Sequence, residues 1–142
     1  MVEFGYWASF AAGIVLILAA GLGFATFARR ARNASTKASG TLSWAIALGF
    51  LSMGANALYW QVYGQVGQYF GIITLPTVRL VGSYFDVVFK GTGALAAYLH
   101  LLALWQSLDP EERKRWSVLG MVTYPDETGL LARLLNGMGR GK

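Results

Sequence analysis

The chain has 142 residues, of which 55% are hydrophobic and only 13% charged, where a soluble domain carries about 25% charged residues. It holds no cysteine and a single histidine, His100, which excludes disulfides, thiolate metal sites, thiol nucleophiles and any multi-histidine ligand set within one chain. The net charge of +5 would suit nucleic acid in a soluble protein, but in a lipid-embedded one it marks the cytoplasmic flanks of the helices.

A membrane span needs about 20 predominantly apolar residues, and three stretches qualify: 5–28, 42–63 and 82–108. The first carries no charge, and Ser9, Gly13, Ala20 and Gly23 recur along one side of it at helical spacing. Arg29, Arg30, Arg32 and Lys37 follow it with no acid among them, and a polar linker from Asn33 to Gly40 suits a turn between antiparallel helices. A cleaved signal peptide would carry its positive charge before the apolar run, whereas here Glu3 precedes it, so this segment is expected to stay as an anchor.

The second span is also uncharged, with Trp44 near one end and Tyr59, Trp60 and Tyr63 at the other, as expected for rings at the two water interfaces. Ala45, Gly49, Ser52, Asn56, Tyr59 and Tyr63 share one of its sides. In lipid, apolar surface does not drive helices together, so small and polar faces of this kind mark helix contacts. The connection from Gln65 to Pro76 is aromatic and aliphatic, and is expected to lie at the interface or over the end of the bundle. Pro76 fits the first turn of an extension of the third span.

The third span differs from the others because it contains Asp86, Lys90 and His100. At about 100° per residue, Asp86, Lys90, Gly93, Ala97, His100 and Leu104 fall within one sector, which Arg79 joins if the helix extends outward. Charge inside a bilayer is costly and usually faces protein or water, and an acid four residues before a lysine is well placed for a helical ion pair. His100 beside small residues admits a haem or chlorophyll as an axial ligand, although a bis-histidine haem would require a partner chain. One histidine is weak evidence for such a group, so His100 is read first as a neutral imidazole bonded to a neighbouring helix and no cofactor is expected; Gly91-Thr92-Gly93, lying inside an apolar helix, is not a phosphate loop.

Lys and Arg orient the molecule. Arg29, Arg30, Arg32 and Lys37 lie on one side with Arg113, Lys114, Arg115, Arg133, Arg140 and Lys142 of the tail, and only Arg79 lies on the other. The positive-inside rule therefore places the N-terminus outside and the C-terminus in the cytoplasm, most naturally of a bacterial inner membrane. The chain divides into a three-helix membrane domain over 1–108 and a tail over 109–142. In the tail, Asp109, Pro110, Glu111 and Glu112 read as a helix start, and Leu130, Leu131, Leu134 and Leu135 around Arg133 as a second amphipathic segment. With Arg113, Lys114, Arg115 and Trp116, this tail suits a surface of anionic headgroups; its basic residues are interspersed with acids, which disfavours nucleic acid.

The fold class is therefore an all-α membrane protein, N-out and C-in, with a short amphipathic tail and no catalytic constellation. Three spans, small-residue faces and a charged cytoplasmic tail resemble the class I phage holins, small proteins that assemble into membrane lesions. The segment Leu104-Trp105-Gln106-Ser107-Leu108-Asp109-Pro110-Glu111-Glu112-Arg113 is similar to tails of small phage-encoded membrane proteins. The resemblance implies an oligomer or pore formed with copies of itself. The competing expectation is an accessory subunit of a larger respiratory or photosynthetic complex; on either reading Gly13, Gly23, Gly49, Ser52, Asn56, Gly93 and Ala97 mark helix packing, within the chain, between copies or with other membrane subunits.

Overall fold

A computed structural model describes residues 2–118 and 120. Three helices are long and apolar enough to cross a membrane: α1 (Val2–Arg32), α2 (Lys37–Tyr69) and α3 (Leu75–Gln106). A short helix, α4 (Pro110–Arg115), follows, and among the described residues there is no strand. Arg133 and the leucine-rich segment around it lie outside the described residues.

Local chemistry sets the helix starts. Thr36 caps α2 by accepting from the Ser39 N–H at 3.2 Å, and Thr74 caps α3 by accepting from the Thr77 N–H at 3.4 Å. Pro76 occupies the first turn of α3, where its missing N–H would have no partner anyway. Asp109 stands at the corresponding position of α4, but its side chain makes no capping bond.

The connection expected over Gln65 to Pro76 is mostly helical, since α2 runs on to Tyr69 and α3 begins at Leu75. Gly71, at φ 68°, makes the sharp reversal, a backbone region that only glycine enters readily. Ile73 folds back so that its side chain covers Gly67, leaving no room for a Cβ there. Residues Leu58–Val66 of α2 are wound as a π-helix. Such winding is rare and is usually confined to one turn.

The helices form a flat layer with α2 in the middle. On one side of α2, Gly54 meets Ala20, Phe50 covers Gly23 and Gln61 covers Gly13. On the other, Ser52 and Tyr59 donate to carbonyls of α3. Phe50 and Gly54 lie roughly 160° from Ser52 around the helix, so α1 and α3 flank α2 from opposite sides and touch each other little.

Polar bonds pin these contacts along their length. Tyr6 Oη donates to the Gln65 carbonyl at 2.7 Å, joining α1 to α2. Between α2 and α3, Thr41 Oγ1 donates to Gln106 Oε1 at 2.9 Å, Ser52 Oγ to the Phe89 carbonyl at 2.9 Å and Tyr59 Oη to the Val78 carbonyl at 2.7 Å. Each such bond contributes about 0.6 kcal/mol on average within a membrane. Gly82 and Gly93 stand four residues after the two acceptor carbonyls of α3, and a Cβ on Gly82 would meet the Trp60 and Tyr59 rings at 3.1–3.2 Å.

Only 11% of each span's most apolar window is buried, so most of the apolar surface faces outward. Leu18, Leu22, Leu80, Val87 and Val88 are examples. Gly91 also lies on open surface, with nothing within 4 Å of a Cβ placed there. Gly91→Ala should therefore keep the fold and stabilise α3 by about 0.5–1 kcal/mol, read as a shift in the detergent concentration that unfolds the purified chain.

Candidate functional site: the outward face of the third helix

Val78, Gly82, Phe85, Phe89 and Gln106 of α3 meet α2, and Ala103 is buried. At about 100° per residue, Arg79, Asp86, Lys90, Ala97 and His100 fall on the flank of α3 beside this contact. Arg79, Lys90, Ala97 and His100 are exposed. Asp86 and Lys90 form the expected ion pair within the helix, at 2.5 Å, yet the lysine side chain remains 77% exposed and the carboxylate 47%. Arg79 and His100 have no ion-pair partner among the described residues.

The small and polar residues singled out in the sequence divide between the inner contacts and this outer face. Gly13, Gly23 and Ser52 lie at helix contacts within the layer, as described above. A Cβ on Gly93 would meet Ser52 Oγ at 3.9 Å, ordinary contact, whereas one on Gly49 would meet nothing within 4 Å. Asn56 is exposed. Trp60 reaches over Gly82 on the stripe's side of the layer, so Asn56 and Gly49, on the same flank of α2, share the broad face that carries Asp86 and Lys90.

The opposite broad face is apolar. Ala55, Leu58, Tyr59, Val62, Val81 and Phe85 are among the residues lining a groove of about 660 Å³ between α2 and α3. Tyr59 is its floor: the ring packs against Trp60, Tyr63 and Phe85 with centroids 5.1–5.2 Å apart, and is only 7% exposed. Half-buried Gln61 packs over Gly13 of α1 instead, and the buried Oε1 atoms of Gln61 and Gln65 have no hydrogen-bond partner among the described residues.

At the other end of α3, the tail folds back onto the span. Trp105 Nε1 donates to the Trp116 carbonyl at 2.7 Å, and Arg113 Nε donates to the Leu108 carbonyl at 2.8 Å. Lys114 pairs with Glu111 at 3.3 Å, and the Arg115 guanidinium lies 5.9 Å from the centre of the Trp116 ring. These bonds hold the basic cluster Arg113–Arg115 close to the end of the apolar helix.

The π-wound segment and the bonds from Tyr6, Thr41, Ser52 and Tyr59 were not anticipated from sequence. The signal that could have found two of the contacts is the placement of Gly82 and Gly93 four residues after the carbonyls of Val78 and Phe89. A glycine one turn on leaves a carbonyl open to a donor from the neighbouring helix. Nothing in the residues of 58–66 announces π winding, and we have no physical account of why it extends over nine residues.

Among the described residues, no group of three or more His, Cys, Asp or Glu side chains could hold a metal ion. His100, on the outward face, would need a second ligand from another chain to hold a bis-histidine haem. The arrangement as a whole offers association surfaces. No protein-family model, curated protein or solved structure matches the chain.

Proposed function

We propose that this chain is a small, non-catalytic integral membrane protein that acts by associating with itself, in the manner of a holin-like oligomer or pore former. It sits N-out and C-in in a bacterial inner membrane, with Arg113–Trp116 against the cytoplasmic headgroups. The observation that carries this reading is the outward position of Asp86 and Lys90. The 32 residues of α3 rise about 48 Å at about 1.5 Å each, against a hydrocarbon core of about 30 Å. Arg79 then falls toward one interface and His100 toward the other, while Asp86 and Lys90 fall within the apolar zone. A single copy would turn that pair to lipid, which is unfavourable by several kcal/mol. Further copies would cover it or enclose it around water.

Mass determination after extraction in mild detergent tests the reading. A complex containing several copies of this chain alone supports it, and a monomer overturns it. A complex with a different protein in fixed ratio would replace it with the accessory-subunit reading. That second reading is favoured by the aromatic groove on the opposite face, which would seat a helix of another subunit.

The orientation is tested separately, and the absence of native cysteine makes the experiment clean. Ser35, between α1 and α2, and Gln68, near the far end of α2, are both exposed. In sealed cells, Gln68→Cys should react with a membrane-impermeant maleimide and Ser35→Cys only after the cells are opened. Labelling of both in sealed cells would contradict the N-out, C-in arrangement.

A further inference from the structure

The ionisable flank of α3 has a finer order than one shared sector. Arg79, Asp86, Gly93 and His100 follow one another at seven-residue intervals. Ser83, Lys90, Ala97 and Leu104 follow at the same interval, each four residues after a member of the first set. This unbroken alternation of four and three is the heptad seam of two helices wound left-handed around each other. Arg79, Asp86, Lys90 and His100 are all the Arg, Lys, Asp, Glu and His residues of α3, and all four lie on that seam. None of the eight seam residues is buried in the single chain.

We propose that this seam joins two copies of the chain in parallel, with each Asp86 carboxylate seated between Ser83 and Lys90 of the second copy. The inference rests on the self-association read above and names the surface that performs it. All copies insert with the same orientation, so a pair related by a two-fold axis along the membrane normal brings equivalent α3 helices side by side. In knobs-into-holes packing of that kind, a residue at the Asp86 position enters a hole made by residues three before, at the same level, one after and four after on the facing helix. Those positions are Ser83, Asp86, Val87 and Lys90. Each carboxylate keeps the lysine it holds within its own helix and gains the second one, so two acids and two lysines close a neutral ring inside the apolar zone.

The rest of the seam fits close approach. Gly93 and Ala97 occupy the next two levels, where small side chains let the backbones come together. Asn56, exposed on the same broad face, brings a further polar group to the flank of the contact.

Charge exchange between copies separates this arrangement from a pair that is satisfied within one helix. The assay is disulfide crosslinking through Ala97→Cys in native membranes. Asp86→Lys alone places four lysines around the ring, and Lys90→Asp alone places four acids there. Each should lower crosslinking by roughly tenfold or more relative to the unaltered pair. Co-expressing the two variants, distinguished by different tags, should restore crosslinking between unlike copies only, which also shows that both variant chains fold. Crosslinking of the single variants at the level of the parent, or failure of the mixed pair to recover, would overturn the seam. A chain that is oligomeric by mass but crosslinks through other positions, such as Leu95→Cys or Val88→Cys, keeps the functional reading and overturns this interface. A monomeric chain overturns both.

Discussion

Gly54→Leu is expected to separate α1 from α2 and to lower the stability of the bundle by about 3 kcal/mol, at the upper end of the usual penalty for overpacking. A Cβ at Gly54 would lie 2.8 Å from the Cβ of Ala20, itself only 2% exposed. That methyl is attached directly to the backbone and cannot swing aside, so the helices themselves must part. Gly23 instead faces the Phe50 ring, which can turn about χ1, whereas Gly13 faces Gln61 from its Cβ outward and is nearly as constrained as Gly54. Gly54→Ala should therefore cost about 1–2 kcal/mol although it adds a single methyl, in contrast to the same exchange at Gly91. Unfolding in increasing mole fraction of SDS, followed by tryptophan fluorescence, gives the comparison. A Gly54→Leu chain as stable as the parent would show that the crossing of α1 over α2 is not held at this point.

Tyr59→Ala should be comparably severe, at about 3–5 kcal/mol, and its parts are separable. The ring is the centre of an aromatic cluster that joins α2 to α3 through Phe85 and Phe89, and its hydroxyl donates to the Val78 carbonyl at 2.7 Å. Tyr59→Phe removes only the hydroxyl and should cost about 0.6 to 1.7 kcal/mol, the range of interhelical hydrogen bonds within membranes. The difference between the two variants measures the packing. If Tyr59→Phe were as damaging as Tyr59→Ala, the hydrogen bond would dominate and the ring would contribute little. The same unfolding assay decides the point, with Trp60 stacked edge-on against this ring as a local reporter.

Much of the architecture was legible because uncharged runs such as 42–63 are too long for a soluble protein, and because a bilayer admits few alternatives to helices. The ends of the helices were less so. The second span was expected over 42–63, yet Gly64 and Gly67 stand within α2, against Val78 and Ile73, and the chain turns only at Gly71. Helix periodicity also placed Asp86, Lys90, Gly93, Ala97 and His100 on one side. Periodicity says which residues share a face; it does not say which neighbour that face sees. That choice was made by contacts distant in sequence, Val78 with Tyr59 and Phe89 with Ser52. They turn α3 so that its carbonyls and aromatic rings meet α2 and its charges look away.

The flat layer also bears on how the protein is made. Each helix packs against the one that precedes or follows it in the chain, and α1 and α3 touch little. The bonds that pin the layer, although distant in residue number, all join consecutive helices. As synthesis proceeds, α1 and α2 can settle together at Ala20 and Gly54 before α3 has left the ribosome. Then α3 docks onto the exposed side of α2 through Ser52 and Tyr59. Bundle assembly can therefore keep pace with translation, in the order in which the spans emerge. The charged flank of α3 would be the last surface to meet a partner, which on the self-association proposed above is a second, already inserted chain.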